Sequence, residues 1–150
     1  INYSVKNKKV FILGAGGVAP SIIAALKRLG VSKIILSNRT KKKAEDLKKI
    51  YSDLEILDWG EIPDFNMIIN ATSVGLKKDQ EIKINYDNIK PNKLFYDVIY
   101  NPKKTKFLSV AEKFGNQIQN GKMMFIYQAQ LAFKIWHNVL PKINDKLLEQ

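Results

Sequence analysis

The chain has 150 residues, no cysteine, one histidine and a net charge of +11. The lack of cysteine excludes disulfides and thiolate metal sites, and a single histidine cannot form a histidine metal cluster. Hydrophobic residues make up 45 % of the chain, which is enough for a core, and no apolar stretch approaches the roughly 20 residues of a membrane span. The start shows no signal-peptide pattern, so we expect a cytoplasmic protein of one domain.

The positive charge comes almost entirely from lysine, because Arg28 and Arg39 are the only arginines. Base recognition favours arginine, and the sequence contains no known nucleic-acid motif. We therefore expect a basic surface that attracts anionic small molecules, with neither a nucleic acid nor a membrane as partner. The first residue is Ile1 rather than methionine, so we also expect the chain to be a piece of a longer protein.

Short apolar runs alternate with helical periodicities along the chain. Buried strands are predicted, in chain order, at residues 9–13, 33–37, 54–57, 67–70, 94–99 and 116–119. Helices are predicted at residues 18–29, 41–51, 106–114 and 123–140, with a short tail helix after Pro141. The polar segment 79–92 is predicted to be a loop or an edge element. This alternation indicates an α/β fold, a doubly wound and mostly parallel sheet with helices on both faces.

The first predicted strand runs directly into a glycine-rich turn, Gly14-Ala15-Gly16-Gly17-Val18-Ala19. This is the G-x-G-x-x-A form of a dinucleotide-binding turn in its required context, between a strand and a helix. Gly14 allows the tight turn, Gly16 lets a pyrophosphate approach the backbone, and Ala19 lets the helix pack on the strand. Amides of the first helical turn then face the phosphates. We expect all six residues to bind the cofactor, in a Rossmann-like fold.

The helix that follows this turn has one apolar face. The residues spaced to pack against the core are Ile22, Ile23, Leu26 and Leu29. Gly30 then stands where a glycine ends a helix, and Pro20 in the first turn removes one potential phosphate donor.

The second predicted strand ends in Asn38-Arg39-Thr40, where NAD-binding domains carry an acidic residue. The next carboxylate, Glu45, lies inside the following helix. An arginine here can pair with a 2′-phosphate, Thr40 can donate a hydroxyl, and Lys43 adds charge one turn into the helix. We therefore expect Asn38, Arg39, Thr40 and Lys43 to bind NADP(H). The alternative is an ordinary basic helix start capped by Thr40, in which the cations oppose the helix dipole.

Three later segments complete a recognisable series. They are residues 70–75 (Asn-Ala-Thr-Ser-Val-Gly), residues 97–105 (Asp-Val-Ile-Tyr-Asn-Pro, with Thr105 as a helix cap) and residues 121–128 (Gly-Lys-Met-Met-Phe-Ile-Tyr-Gln). With the glycine turn and Asn38-Arg39-Thr40, they occur in an order and spacing that resembles the C-terminal NADP-binding domain of shikimate dehydrogenases. The resemblance covers nearly the whole chain, from about residue 8 to residue 136.

The resemblance implies further contacts to the cofactor and to a substrate. The implied cofactor residues, beyond those above, are Thr72, Ser73, Val74, Val98, Gly121 and Met124. Tyr100 would bind the substrate carboxylate, and Gln128 would direct its amide to the substrate hydroxyls. The alternatives are a strand-end turn held by side-chain bonds at Thr72 and Ser73, and packing roles for Tyr100 and the helix residues. Phe125 stands where the family usually has leucine, and Leu76 where it usually has methionine.

The resemblance also implies an activity, the reversible reduction of 3-dehydroshikimate to shikimate by NADPH in aromatic amino-acid biosynthesis. Its acid/base lysine and aspartate belong to a substrate domain upstream of this sequence, so we assign no catalytic residue and no metal. We expect residues 1–150 to be a single cofactor domain, with a helical segment at about 122–150 that packs back toward the substrate domain. The isolated chain should bind NADP(H) without turnover.

Three other functions stay open on the sequence. A quinate/shikimate dehydrogenase of the same family differs mainly in substrate preference, which this domain determines poorly. A non-catalytic NADP-binding module would need no substrate domain. Nucleic-acid binding would show a steep salt dependence and no response to NADPH.

Overall fold

The computed structural model describes residues 3–77 and 79–144. Ten elements follow one another along this part of the chain. In chain order they are β1 Lys9–Leu13, α1 Ala19–Arg28, β2 Lys33–Ser37, α2 Lys41–Ile50, β3 Glu55–Leu57, β4 Met67–Asn70, β5 Leu94–Asp97, α3 Lys106–Lys113, β6 Gln117–Asn120 and α4 Lys122–His137. No helix in the described ranges is long and apolar enough to cross a bilayer.

The six strands form one sheet in the order β3-β2-β1-β4-β5-β6, and every neighbouring pair is parallel. The chain starts in the middle at β1, winds outward to β3, and then returns to the other side of β1 as β4. This is the doubly wound α/β sheet predicted from the sequence, and its strand order reverses between β1 and β4. Ligands of such sheets bind at that reversal, outside the carboxyl ends of the strands.

Alternate residues of the strands pack into two separate layers of core. On one face, β1 directs Val10 and Ile12 toward α1 and α2; on the other, Phe11 packs toward α3. Both faces are therefore covered, as a buried parallel sheet requires.

The segment 79–92 is irregular, as predicted, but it is also part of the core. Its apolar residues Ile82, Tyr86 and Ile89 are buried in the same layer as α3. Because the segment is mostly polar, its sequence does not predict that these residues pack in the core.

Several sequence predictions about element ends were wrong. Leu29 does not face the core: its side chain is 59 % exposed, because α1 ends at Arg28 and the helical stripe ends with it. The last helix stops at His137 instead of residue 140, because Asn138 adopts a left-handed conformation with φ 53°. Strand β5 ends at Asp97 instead of residue 99. Residues 141–144 are not helical, and the rest of the predicted tail helix lies outside the described residues.

Candidate cofactor site

The carboxyl ends of the central strands lie side by side at one edge of the sheet. Leu13 is in register with Ser37 and with Asn70, and Asn70 is in register with Asp97. The loops that leave these strands surround an open cleft of about 540 Å³. Its lining residues are Val18, Ala71, Thr72, Ser73, Leu76, Val98, Ile99, Tyr100 and Asn101. The cleft thus brings together residues that the sequence placed in three separate motifs.

Gly14 is required by the backbone of the turn after β1. It has φ +106°, and a Cβ there would lie 2.8 Å from the carbonyl oxygen of Ala71 and from Cγ2 of Thr72. By contrast, a Cβ on Gly16 would come no closer than 4.0 Å to Ala71, and one on Gly17 would meet nothing within 4 Å. The turn is therefore closed below Gly14 and open above Gly16 and Gly17, where a ligand can approach the backbone.

The amides of this turn fall into two groups. The Ala15 amide donates to Oδ1 of Asn38 at 3.0 Å, and the Ala19 amide donates to the carbonyl of Gly16 at 3.1 Å. The amides of Gly16, Gly17 and Val18 have no acceptor within the described ranges. These three unbonded amides precede the first turn of α1, whose dipole favours an anion.

Asn38 holds the turn rather than standing free. Its Oδ1 accepts the Ala15 amide, and its Nδ2 donates to the carbonyl of Thr40 at 2.8 Å. The side chain therefore links the end of β2 to the glycine turn. These two hydrogen bonds show that Asn38 positions the glycine turn. Direct contact of Asn38 with a ligand stays a prediction.

The positive side chains around the start of α2 are not equivalent. Lys41 is bound to Asp58, with Nζ 2.6 Å from Oδ1. Arg39 and Lys43 are exposed and have no carboxylate partner in the part of the chain that the structure describes. Thr40 occupies the N-cap position, yet its hydroxyl makes no capping hydrogen bond. Arg39, Thr40 and Lys43 are thus available to an anion, and their contact with NADP(H) stays a prediction.

A buried polar network, which the sequence analysis did not identify, supports the cleft. Oδ1 of Asp97 accepts from Nδ2 of Asn70 at 3.0 Å and from the Ile99 amide at 3.0 Å, and Oδ2 accepts from Oγ1 of Thr105 at 2.6 Å. The Ile99 bond draws the chain out of the ladder, which ends β5 at Asp97. Burial raises the pKa of the Asp97 carboxyl, and the three hydrogen bonds oppose that rise.

Thr72 is also part of this network. Its hydroxyl donates to Oδ1 of Asn70 at 2.7 Å and accepts from the Val74 amide at 3.0 Å. A strand-end turn held by side-chain bonds is therefore present at Thr72, and contact of Thr72 with the cofactor stays a prediction. Ser73 differs, because its side chain is exposed at the cleft. Val74 is half-buried and packs against the core.

Gly121 contacts the same wall from the other side. A Cβ at this position would lie 2.0 Å from the carbonyl oxygen of Val98, and the Gly121 amide donates to the carbonyl of Ile99 at 3.2 Å. Packing on the segment after β5 therefore explains why this residue is glycine. The predicted backbone contact with the nicotinamide stays a prediction.

The substrate residues predicted on the cleft wall and on α4 lie in different settings. Tyr100 lines the cleft and stacks on Phe125, with ring centroids 4.6 Å apart and planes at 20°. Met124 is half-buried and Gln128 is exposed on α4, and neither lines the cleft. The structure thus brings Tyr100 to the site and leaves Gln128 facing outward.

Helix α4 presents a large apolar surface beyond the cleft. Of its residues, Ile126 is the one that is buried. The exposed apolar side chains are Phe125, Tyr127, Leu131, Phe133, Ile135 and Trp136, with Ile135 80 % and Trp136 76 % exposed. So many exposed apolar side chains on one helix are typical of an interaction surface.

The described part of the chain contains no cluster of three or more potential metal ligands. The carboxyl-end edge of the sheet instead carries unbonded amides at a helix start, two unpaired cations in the described ranges and a cleft with apolar walls. These are the features that phosphate groups and a flat ring of a dinucleotide require.

Comparison with known proteins agrees with this geometry. A sequence model described as shikimate / quinate 5-dehydrogenase matches residues 1–104. The shikimate dehydrogenase (NADP(+)) of Pelagibacter ubique (strain HTCC1062) is 59 % identical over 145 residues, which cover 97 % of this chain and 55 % of that protein.

Two solved structures place the fold in the same group. The shikimate dehydrogenase of Aquifex aeolicus is 36 % identical, with a TM-score of 0.82 over 97 % of this chain and 53 % of that one. The shikimate 5-dehydrogenase of Thermus thermophilus, solved with NADP(H) and shikimate, is 28 % identical, with a TM-score of 0.80 over 92 % of this chain and 52 % of that one. The chain spans about half the length of the curated relatives it matches. It belongs to the shikimate/quinate 5-dehydrogenase family.

Proposed function

We propose that this chain is the NADP(H)-binding domain of a shikimate dehydrogenase. The observation that carries the proposal is the open glycine turn with three unbonded amides, next to the unpaired Arg39 and Lys43. A pyrophosphate fits the amides of Gly16, Gly17 and Val18, because a helix start stabilises anions. Arg39, Thr40 and Lys43 then hold the 2′-phosphate that distinguishes NADP from NAD.

The nicotinamide end of the cofactor belongs in the cleft lined by Val18, Thr72, Ser73 and Val98. When bound, NADPH supplies the hydride for reduction of a ring ketone, as the name of the close relative implies. This chain contributes the orientation of that cofactor, with Tyr100 at the mouth of the cleft to bind the substrate carboxylate. Gly121 would offer its backbone to the nicotinamide from the wall beside Val98, and Met124 and Gln128 would approach the site when a substrate domain closes over it.

The proton-transfer groups belong, in this proposal, to the substrate domain. The chain spans about half of its relatives, and the two reacting carbons must be held nearly in contact. The exposed apolar side chains of α4 are the surface on which we expect that domain to pack. The chain alone should therefore bind cofactor without measurable turnover.

A quinate-oxidising enzyme is the second candidate. The family description names both substrates, and the two differ in the ring that the missing half of the cleft would hold. Turnover of shikimate and of quinate by the full-length protein would separate these two candidates.

Calorimetric titration of the chain with NADP⁺ and NAD⁺ tests the cofactor assignment. We expect NADP⁺ to bind more tightly, and Arg39→Ala to weaken NADP⁺ binding by about tenfold or more, the scale of a charge-assisted hydrogen bond. NAD⁺ binding should change by less than about twofold, because NAD⁺ lacks the 2′-phosphate. Arg28→Ala is the matched control, since Arg28 is exposed at the far end of α1.

Equal affinity for the two cofactors, or equal effects of the two arginine variants, would contradict the NADP assignment. Steady-state oxidation of shikimate by the purified 150-residue chain would contradict the proposal that the chain is only half of the active site. Each outcome tests a different part of the proposal.

A further inference from the structure

The carboxylate of Asp97 is an unusual charge to find beneath a binding cleft. The residue is 0 % exposed, and three donors surround its two oxygens: Nδ2 of Asn70, the amide of Ile99 and the hydroxyl of Thr105. The Thr105 hydroxyl also accepts the Leu108 amide at 3.4 Å, which leaves its hydrogen for Asp97. Three donors of this kind favour the charged form of a carboxyl group.

No cation offsets this charge within the described residues. Lys106, the residue after Thr105 on α3, is paired with Glu81 at the surface. On β5 the titratable neighbour is Tyr96, whose pKa is raised by burial and by Asp97, so that it stays neutral. The partners from β4 and from the loop after β5 are neutral as well. The charge of Asp97 is therefore stabilised by hydrogen bonds and not cancelled by a neighbouring cation.

The surroundings of Asp97 include both walls of the cleft. Asp97 directly precedes the wall that begins with Val98, and Asn70 directly precedes the opposite wall, Ala71 to Ser73. A ring bound between these walls would therefore be held by segments that begin one residue after Asp97 and after its partner Asn70.

We propose that Asp97 is a fixed negative charge that favours the oxidised, cationic nicotinamide ring of NADP⁺ over the neutral ring of NADPH. The inference rests on the proposed function, because it needs a nicotinamide in the cleft. NADP⁺ and NADPH carry identical phosphates and adenosine, so the rest of the site treats them alike. The ratio of their affinities therefore isolates the interaction of the protein with the charge on the ring.

The expected effect follows from the strength of such a charge. At the effective dielectric of about 20 that describes partly buried sites, a unit charge within about 15 Å changes a binding constant by about fivefold or more. Asp97→Asn removes the charge and keeps the size and most hydrogen bonds of the side chain. We expect it to raise the ratio Kd(NADP⁺)/Kd(NADPH) about fivefold, because binding of the cationic ring is weakened relative to the neutral ring.

The experiment titrates the native chain, Asp97→Asn and Asp87→Asn with each form of the cofactor by calorimetry. Asp87 is exposed in the segment 79–92 and provides the same change in net charge away from the cleft, so its variant should keep the native ratio. If Asp97 only supports the walls, both affinities fall together and the ratio stays fixed, which overturns the inference. If the native chain binds neither form, the proposed function itself fails, and the inference fails with it.

A second measurement uses the unmodified chain and so does not depend on the folding of a variant. As the pH falls through the raised pKa of Asp97, the carboxylate becomes neutral and the preference for the cationic ring should disappear. The 2′-phosphate titrates in both ligands and cancels in the ratio. The acid-stable tetrahydro analogue of NADPH serves as the neutral-ring ligand. A ratio that stays constant down to the pH at which the chain itself unfolds, or that shifts toward NADP⁺ on acidification, overturns the inference.

Discussion

The two halves of the cofactor edge use their polar groups in opposite ways. After β1, the amides of Gly16, Gly17 and Val18 are left without protein acceptors in the described ranges. After β5, the carboxylate of Asp97 and the amide of Gly121 are fully engaged within the chain. The first half keeps donors for a ligand, and the second half builds a rigid wall against which a ligand can be oriented. A dinucleotide needs both, because its phosphates require donors and its ring requires a fixed orientation.

The unbonded amides are not a sign of loose packing. No buried side-chain nitrogen or oxygen among the described residues lacks a hydrogen-bond partner. Native folds satisfy buried polar groups almost everywhere, whereas Gly16 and Gly17 are exposed, so their amides are open to solvent or to a ligand. The two halves therefore differ in the role of their polar groups, and the buried polar side chains of both are hydrogen-bonded.

Glycine substitutions should show the largest difference in stability between the two halves. A Cβ on Gly121 would lie 2.0 Å from the Val98 carbonyl, whereas a Cβ on Gly17 meets nothing within 4 Å. We expect Gly121→Ala to lower the free energy of unfolding by about 3 kcal/mol, because backbone must move to admit the methyl group. Gly17→Ala should change it by less than about 0.5 kcal/mol while weakening NADP⁺ binding about tenfold. Urea denaturation and calorimetry measure the two effects.

The opposite pattern would break the comparison. If Gly17→Ala unfolded as easily as Gly121→Ala, glycine at position 17 would be a requirement of folding and its openness would say nothing about a ligand. If Gly121→Ala kept native stability, the wall after β5 would be adjustable and could not orient a ring.

Two threonines at helix starts give a second, smaller contrast. Oγ1 of Thr105 donates to Asp97 and caps α3, whereas Thr40 makes no capping bond at the start of α2. We expect Thr105→Val to lower the free energy of unfolding by about 2 kcal/mol, because it removes a buried hydrogen bond and a helix cap together. Thr40→Val should leave stability within about 0.5 kcal/mol and weaken NADP⁺ binding about threefold.

Valine has nearly the shape of threonine at both positions, so the difference between the variants reports the hydroxyl group. Chemical denaturation at pH 7 measures the stability of each. Equal losses of stability would show that Thr40 caps α2 in solution, and its hydroxyl would then not be available to a phosphate.

This contrast also explains what the sequence could predict. The turn after β1 is a local feature: a buried strand, Gly14, Gly16 and a helix start are adjacent in the chain, so a short motif specifies them. Strands β1, β2 and β4 were predicted with the correct bounds for the same reason, since each is a compact apolar run.

The wall after β5 could not be predicted in this way. Asn70 and Asp97 are 27 residues apart, and they meet because β4 pairs with β5 in one particular register. Asp97 and Thr105 were noticed as motif residues, but nothing in the spacing shows that one buried carboxylate connects them. The end of α4 at Asn138 was missed because the apolar pattern continues past it, while a left-handed residue ends the helix.

Substitution of the lysines at the start of α2 should have the smallest effects on binding. The difference between the two lysines depends on an ion pair that the sequence does not reveal. Asp58 neutralises Lys41, and the hydrogen bond and charge of Asp58 raise the pKa of Lys41. Lys43 has no such partner among the residues described. We expect Lys43→Ala to weaken NADP⁺ binding about threefold and Lys41→Ala by less than about twofold, because exposed charges contribute little to binding and that of Lys41 is already paired.

Calorimetry at low ionic strength measures both losses, and NAD⁺ serves as the ligand that neither variant should affect. Raising the salt concentration to about 0.5 M should shrink the loss for Lys43→Ala, since screening weakens an exposed charge. Equal losses for the two lysines would mean that the 2′-phosphate responds to the overall positive field of the helix start. The preference for NADP⁺ would then depend on all the cations of the helix start, and the pairing of Lys41 with Asp58 would have no part in shaping the site.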